Sequence, residues 1–253
     1  MKRYLSLVKR GIERPSLVAP YLVGTLFPDS KWGPSVEVQE DFITFREGGF
    51  VYGVSTRPEF CARLYRDVQT LRVVVDAVTS GDVDMALDVG CGYGRLTPWL
   101  GEFASDVHGV DPNEDVLANA RTLFPTVAFR ADLAQDLSYA DDTFDLVVSW
   151  STLQHVPPAD CESVAAELQR VLAPGGVLIV HEQSRHLGRR NAWGRTKEEY
   201  ERLFSALELI DVRRKPVEPT FDGLEPPIRD DSTEQTYHPF VQLLSFSDVS
   251  NRE

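Results

Sequence analysis

Two acids and three alternating glycines are the residues of this chain whose types and spacing first suggest chemistry. In Met85–Asp111, MALDVGCGYGRLTPWLGEFASDVHGVD, an apolar strand ends in Asp88. The chain then turns through Gly90, Gly92 and Gly94, enters a helix, and closes a second short strand on Asp111. Glycine lets backbone N–H groups approach a ligand where a side chain would collide, and the start of a following helix adds partial positive charge at the same spot. An acid closing the second strand is placed to accept hydrogen bonds from a ribose diol. Arg95 stands where a dinucleotide fingerprint would carry its third glycine. Asp88 would sit badly beside a pyrophosphate and well beside an ammonium group. The stretch therefore favours a cationic nucleoside and argues against a nicotinamide oxidoreductase.

The elements that must hold these residues follow from periodicity. Pro58 suits a first helical turn, and Phe60, Leu64, Val68, Leu71, Val75 and Val78 recur at spacings of three and four, which predicts a helix to about Thr79. Beyond Asp111 the pattern alternates. Helices are expected over Asn113–Phe124, Ala159–Leu172 and Thr196–Leu207, and strands over Val127–Arg130, Phe144–Trp150, Val177–His181 and Leu209–Val217. Strands separated by such helices build right-handed crossovers and a largely parallel sheet. Upstream, Val36–Val54 reads as a hairpin turning at Glu47-Gly48-Gly49, either part of a lid or an edge addition. Residues 1–14 place Tyr4, Leu5, Val8 and Ile12 on one helical side. Such a basic amphipathic segment either packs on its own domain or makes peripheral contact with an anionic membrane face.

Five segments in order, LDVGCGYG, GVDPNEDVLANAR, RADLAQDL, FDLVVSWSTLQHV and RVLAPGGVLIVHE, resemble the class I S-adenosylmethionine-dependent methyltransferase family. The resemblance covers about residues 60 to 215. It implies an α/β fold, a Rossmann-like doubly wound sheet of seven strands, mostly parallel with one antiparallel strand, for which Tyr237–Phe246 is the candidate. It assigns residues 56–253 to the methyltransferase domain and leaves 1–55 as an N-terminal arm and hairpin. The implied cofactor is S-adenosyl-L-methionine. By the same resemblance Gly90, Cys91, Gly92 and Gly94 wrap its methionine portion and Asp88 lies near its amino group. Asp111 takes the ribose hydroxyls, Asp132 meets the adenine amino group, and Pro112 and Leu133 offer apolar surface to the ring. Ser149 and Trp150 face the reactive centre.

A sulfonium methyl is already activated, so the protein has mainly to align a nucleophile, exclude water and manage a proton. No metal-ligand cluster is expected. His155, in SWSTLQHVP, is either a general base for a hydroxyl or a positioning residue. Glu182, at the end of the fifth strand of the pattern, is either a base or a cap on the following turn. Arg185, Arg189, Arg190 and Arg195 follow with no acid between Gln183 and Lys197. They suit an anionic small-molecule or glycan acceptor, such as a uronic acid carboxylate or hydroxyl on a lipid-linked sugar, or else are a solvated loop. The alternatives are a neutral metabolite or quinone-like hydroxyl or amine as acceptor, and a cofactor-binding protein without catalysis.

Composition narrows the partners. A net charge of −13 argues against nucleic acid, as does the absence of an Asn/Asp-Pro-Pro-Tyr/Phe motif where Ser149-Trp150-Ser151-Thr152 stands. Cys61, Cys91 and Cys161 have neither zinc nor disulfide spacing. With no apolar run of membrane-spanning length and no signal-peptide pattern, the expected location is cytoplasmic.

Overall fold

The computed structural model describes residues 35–39, 42–47, 50–55, 58–184, 192–216, 229–230 and 237–248, with side chains over 64–184, 192–213 and 242–248. The basic segment 1–14 and residues 185–191, with Arg185, Arg189 and Arg190, lie outside the described residues. The chain divides into two compact units, Met1–Arg63 and Leu64–Glu253. In the first, strands β1 (Ser35–Gln39), β2 (Phe42–Glu47) and β3 (Phe50–Ser55) form an antiparallel meander. The predicted hairpin is β2–β3, with Glu47 opposite Phe50, and β1 adds a third strand.

Helix α1 (Pro58–Val78) crosses the boundary between the units. In the second unit β4 (Val83–Val89), β5 (Ala104–Val110), β6 (Ala128–Arg130), β7 (Phe144–Trp150) and β8 (Leu172–Gln183) run parallel in the order β6-β5-β4-β7-β8. Strand β11 (Tyr237–Ser247) then lies antiparallel between β8 and β9 (Glu208–Pro216). This is the expected seven-stranded sheet with one reversed strand, extended at its edge by the two-residue β10 (Arg229–Asp230).

Alternation along each strand gives the sheet two apolar faces. Ala86, Leu146, Val148, Ile179 and Leu243 meet Val68, Leu71, Val74 and Val75 of α1 on one face. Leu87, Val147, Leu178, Val180 and Leu244 meet α3 (Cys161–Val171) and Tyr200 and Phe204 on the other. Fully burying an aliphatic or aromatic side chain of this size contributes roughly 1.5–3 kcal/mol, so both layers are needed to hold β4 and β7 at the centre.

Helix α2 (Glu114–Leu123) starts where expected because the Asn113 side chain accepts from the Asp115 and Val116 amides. Helix α4 (Lys197–Leu203) starts in a Thr196/Glu199 capping box but ends short of Leu207. Its C-cap Phe204 is buried against Phe246, and the chain turns there to enter β9. A second departure matters more for the site. The helix expected after the glycine turn is a short 3-10 segment, Thr97–Glu102, with Pro98 in its first turn and no side-chain cap. It brings far less aligned peptide dipole to the loop than an α-helix would.

Candidate active site

The glycine turn is fastened to the end of β5. The Gly90 and Cys91 amides both donate to the Val110 carbonyl at 2.8 and 3.0 Å, and the Gly92 amide donates to Asp111 Oδ2 at 3.1 Å. The Asn113 amide takes Asp111 Oδ1 at 2.9 Å. An ionised carboxylate offers about four acceptor sites, so these two amides fix Asp111 while using part of its capacity. Gly90 and Gly94 have φ of 75° and 81°, in the left-handed region that favours glycine. A Cβ at Gly90 would overlap the side chain of Thr152, and one at Gly94 would fall 2.9 Å from the Phe129 ring.

Asp88 is buried and accepts from Thr97 Oγ1 at 2.7 Å. Burial pushes its pKa up to about 6, with the Thr97 hydroxyl and Arg95 pulling it down and Asp111 adding to the rise. Arg95 itself donates to Asp67 Oδ2 at 2.8 Å, a fully buried acid on α1. The residue in the place of a third glycine thus ties α1 to the loop. Burial also pushes the Cys91 thiol well above its ordinary pKa, which leaves no thiolate for a nucleophilic role.

Asp132, just beyond β6, accepts from the Ser138 amide and hydroxyl, both at 3.0 Å. Leu133 beside it makes an isolated bridge to Asp136, and both Leu133 and Pro112 are half-buried. Asp88, Asp111 and Asp132 therefore stand at the C-terminal ends of three adjacent parallel strands. A row of acids along a glycine turn suits a ligand with a cationic end and hydroxyl and amino donors, so these residues fit the nucleoside that the resemblance implies.

At β7 and β8 the structure sets Ser149 and Trp150 apart from their expected places and favours the capping alternative for Glu182. Ser149, expected at the cofactor, is fully buried and donates to Glu182 Oε1 at 3.0 Å. Trp150, expected to face the acceptor, points to the α1 face of the sheet and is stacked on His181 at 3.9 Å, 6% exposed. Successive strand residues point to opposite faces, so Ser149 and Trp150 cannot share one centre. Glu182 is no available base. Its Oε1 accepts from the Thr152 and Leu153 amides, both at 2.8 Å, and its Oε2 from the Gln154 amide at 3.1 Å. Burial pushes its pKa up to about 7 while these donors hold it down. All four partners are donors, so the carboxylate is the form that satisfies them.

His155 is exposed at the end of a short 3-10 turn, Leu153–His155. The Gln183 amide donates to Gln154 Oε1, which turns the Gln154 NH₂ toward His155 Nε2 at 3.2 Å. Arg195 is buried, its guanidinium donating to the carbonyls of Leu153, Val156 and Trp193 and to Cys161 Sγ. It does not belong to an acceptor site. Arg185, Arg189 and Arg190 lie outside the described residues.

Sequence reasoning missed Thr97, Thr152, Gln154 and the Asp67–Arg95 pair. Asp67 was legible as an acid beside Val68 on an apolar helical stripe. The others show no pattern before the chain is folded. Among the described residues no cluster of His, Cys, Asp and Glu could hold a metal, and no helix is long and apolar enough to cross a membrane.

Residues 87–180 match the family of the methyltransferase domain. A methyltransferase from Synechocystis, described as uncharacterized, is 33% identical over 94 residues, 37% of this chain and 44% of that protein. A ubiquinone biosynthesis O-methyltransferase from Methylococcus capsulatus is 37% identical over 118 residues, 45% of this chain and 49% of its own length. The chain thus spans about half the length of the curated relatives it matches. Among solved structures, the N-methyltransferase NodS from Bradyrhizobium japonicum, in complex with S-adenosyl-L-homocysteine, superposes with a TM-score of 0.56 at 19% identity, over 76% of this chain and 89% of that one. A methyltransferase from Thermotoga maritima gives 0.56 at 21%, over 74% and 91%. At these identities the likeness is one of fold.

Proposed function

We propose that this chain, which carries a class I S-adenosylmethionine-dependent methyltransferase domain, moves the methyl group of S-adenosyl-L-methionine to a hydroxyl of a small, quinone-like acceptor. The observation that carries the cofactor half is the row Asp88, Asp111 and Asp132 at the ends of β4, β5 and β6, along a turn held open by Gly90 and Gly94. The bound cofactor supplies an activated methyl on a sulfonium. Asp88 would hold its amino group, Asp111 its ribose diol and Asp132 its adenine edge, and Pro112 and Leu133 would flank the ring.

The acceptor half is supported by the similarity to ubiquinone biosynthesis O-methyltransferases. The anionic glycan reading has lost part of its support, because Arg195 is spent on backbone carbonyls. A hydroxyl acceptor has a proton to lose, and the exposed His155 is the group of the β7 loop whose type suits it to take that proton.

Titration calorimetry with S-adenosyl-L-homocysteine, followed by transfer of labelled methyl to catechol and hydroxyquinol acceptors, tests both halves. Binding followed by transfer is expected, with His155→Ala lowering kcat by about 10²- to 10⁴-fold and leaving cofactor affinity alone. No binding would end the cofactor assignment. Transfer to carboxylates alone, indifferent to His155, would return the acceptor to the anionic class.

A further inference from the structure

Loop Thr152–Val156 leaves β7 beside the glycine turn and carries His155, yet it forms no regular ladder with any described strand. All five of its amides and four of its carbonyls are nonetheless paired, and two buried side chains make most of these bonds. Glu182, 1% exposed, takes the N–H groups of Thr152, Leu153 and Gln154. Arg195, 8% exposed, gives its N–H groups to the carbonyls of Leu153 and Val156 at 2.7 and 2.6 Å. The two remaining amides close the turn internally, His155 to Thr152 O and Val156 to Leu153 O. The Gln154 carbonyl accepts from the Trp193 amide at 2.6 Å.

Both side chains are themselves held. Glu182 is fixed by Ser149 at 3.0 Å. Arg195 is stitched to the sheet by its own amide to Gln183 O at 3.1 Å and by Gln242 Nε2 to its carbonyl at 2.8 Å. The loop in turn meets the cofactor turn directly, Thr152 Oγ1 reaching Gly90 O at 3.4 Å and its methyl filling the space a Cβ at Gly90 would need.

We propose that Glu182 and Arg195 are positioning residues, an acid and a base that grip opposite polar groups of one loop and so set Thr152 against the glycine turn and His155 over the reacting centre. The grip itself stands on the geometry of the loop; its consequence for turnover rests on the methyltransferase reading. An apolar side chain at position 182 would leave the Thr152, Leu153 and Gln154 amides without partners, and one at position 195 would strip the Leu153 and Val156 carbonyls of their charged donor, which is why charge occupies these two core sites. Glu182→Gln is more damaging than its size suggests, since one of its two head atoms becomes a donor facing donors.

Native-state hydrogen exchange tests the grip without any assay of turnover. In the wild-type protein the Thr152, Leu153 and Gln154 amides are expected to exchange about as slowly as those of β7, and in Glu182→Gln at least tenfold faster while β7 itself is unchanged. Fast exchange of these amides in the wild type, or identical rates in the variant, overturns the proposal. The consequence is read separately. Arg195→Met is expected to lower kcat by about 10- to 100-fold, as misplacement of a catalytic group by about 1 Å does, with Arg195→Lys recovering part of the loss and the acceptor KM nearly constant. A folded Arg195→Met enzyme with wild-type kcat would overturn the positioning role. A wild-type protein with slow amides that binds no S-adenosyl-L-homocysteine would instead overturn the cofactor assignment and leave the grip standing.

Discussion

Asp88 serves two masters. It is a buried acid whose pKa is raised from 3.8 to about 6, so between those values the folded chain holds more protons than the unfolded one. Stability then falls as pH rises through that window and stays lost above it, by about 2–3 kcal/mol for a shift of this size. The same ionisation creates the negative charge that a cofactor ammonium group needs. Asp88→Asn is therefore expected to melt at higher temperature than the wild type at pH 7, and to bind S-adenosyl-L-homocysteine more weakly. Wild-type affinity should strengthen as pH rises through about 6, and the Asn variant should lack that dependence. Calorimetry across pH 5–8 checks both, and a pH-independent wild type would remove Asp88 from the ammonium site. The acid was readable in the sequence because its place before the glycines is chemically odd for a pyrophosphate. Thr97, which holds it at 2.7 Å, was not, because a threonine nine residues on becomes a neighbour only when a short 3-10 segment follows the turn.

Elements were legible where periodicity and caps agreed. Helix α2 was found to within a residue at each end, since Asn113 before Glu114 and Asp115 is a start signal and Pro125 a stop. Its cap is unusually committed. The Asn113 side chain accepts two amides, its own amide binds Asp111, and the residue is buried. Asn113→Ala should cost about 1–2 kcal/mol, measurable by denaturant unfolding, and should weaken cofactor binding as well because Asp111 loses its neighbour's geometry. A stability loss with unchanged affinity would show that the Gly92 amide alone fixes Asp111. The loop after β7 was the element least legible. Glu182 and Arg195 are 30 and 42 residues or so from the amides and carbonyls they bind, as with Thr152 and Leu153. No local spacing records such a pairing, so the arginine read as part of an exposed basic run.

At the scale of the molecule, a mostly parallel sheet of seven strands with Tyr237–Phe246 reversed was expected from five ordered motifs, and the sheet has that form. Motif order fixes topology because each βα crossover has one favoured hand and adjacent strands tend to be neighbours in sequence. Side-chain direction at the strand ends was another matter. Ser149 and Trp150 were both assigned to one centre, and the alternation of β7 divides them between the two faces.

Strand β11 is inserted between β8 and β9, with Leu244 opposite Val180 on one side and Val212 on the other. During synthesis β9 is complete well before β11, yet it has no place in the sheet until β11 arrives. Until then β8 stands as an open edge of apolar residues, Leu178 and Val180 among them, able to pair with a second nascent chain. A chain ending at Val217 should therefore self-associate, and gel filtration would show it. A monomeric product would mean that β9 can dock on β8 directly. The assembly of this sheet is thus a question of timing, and its last-made strand acts as an intramolecular guard against pairing with strangers.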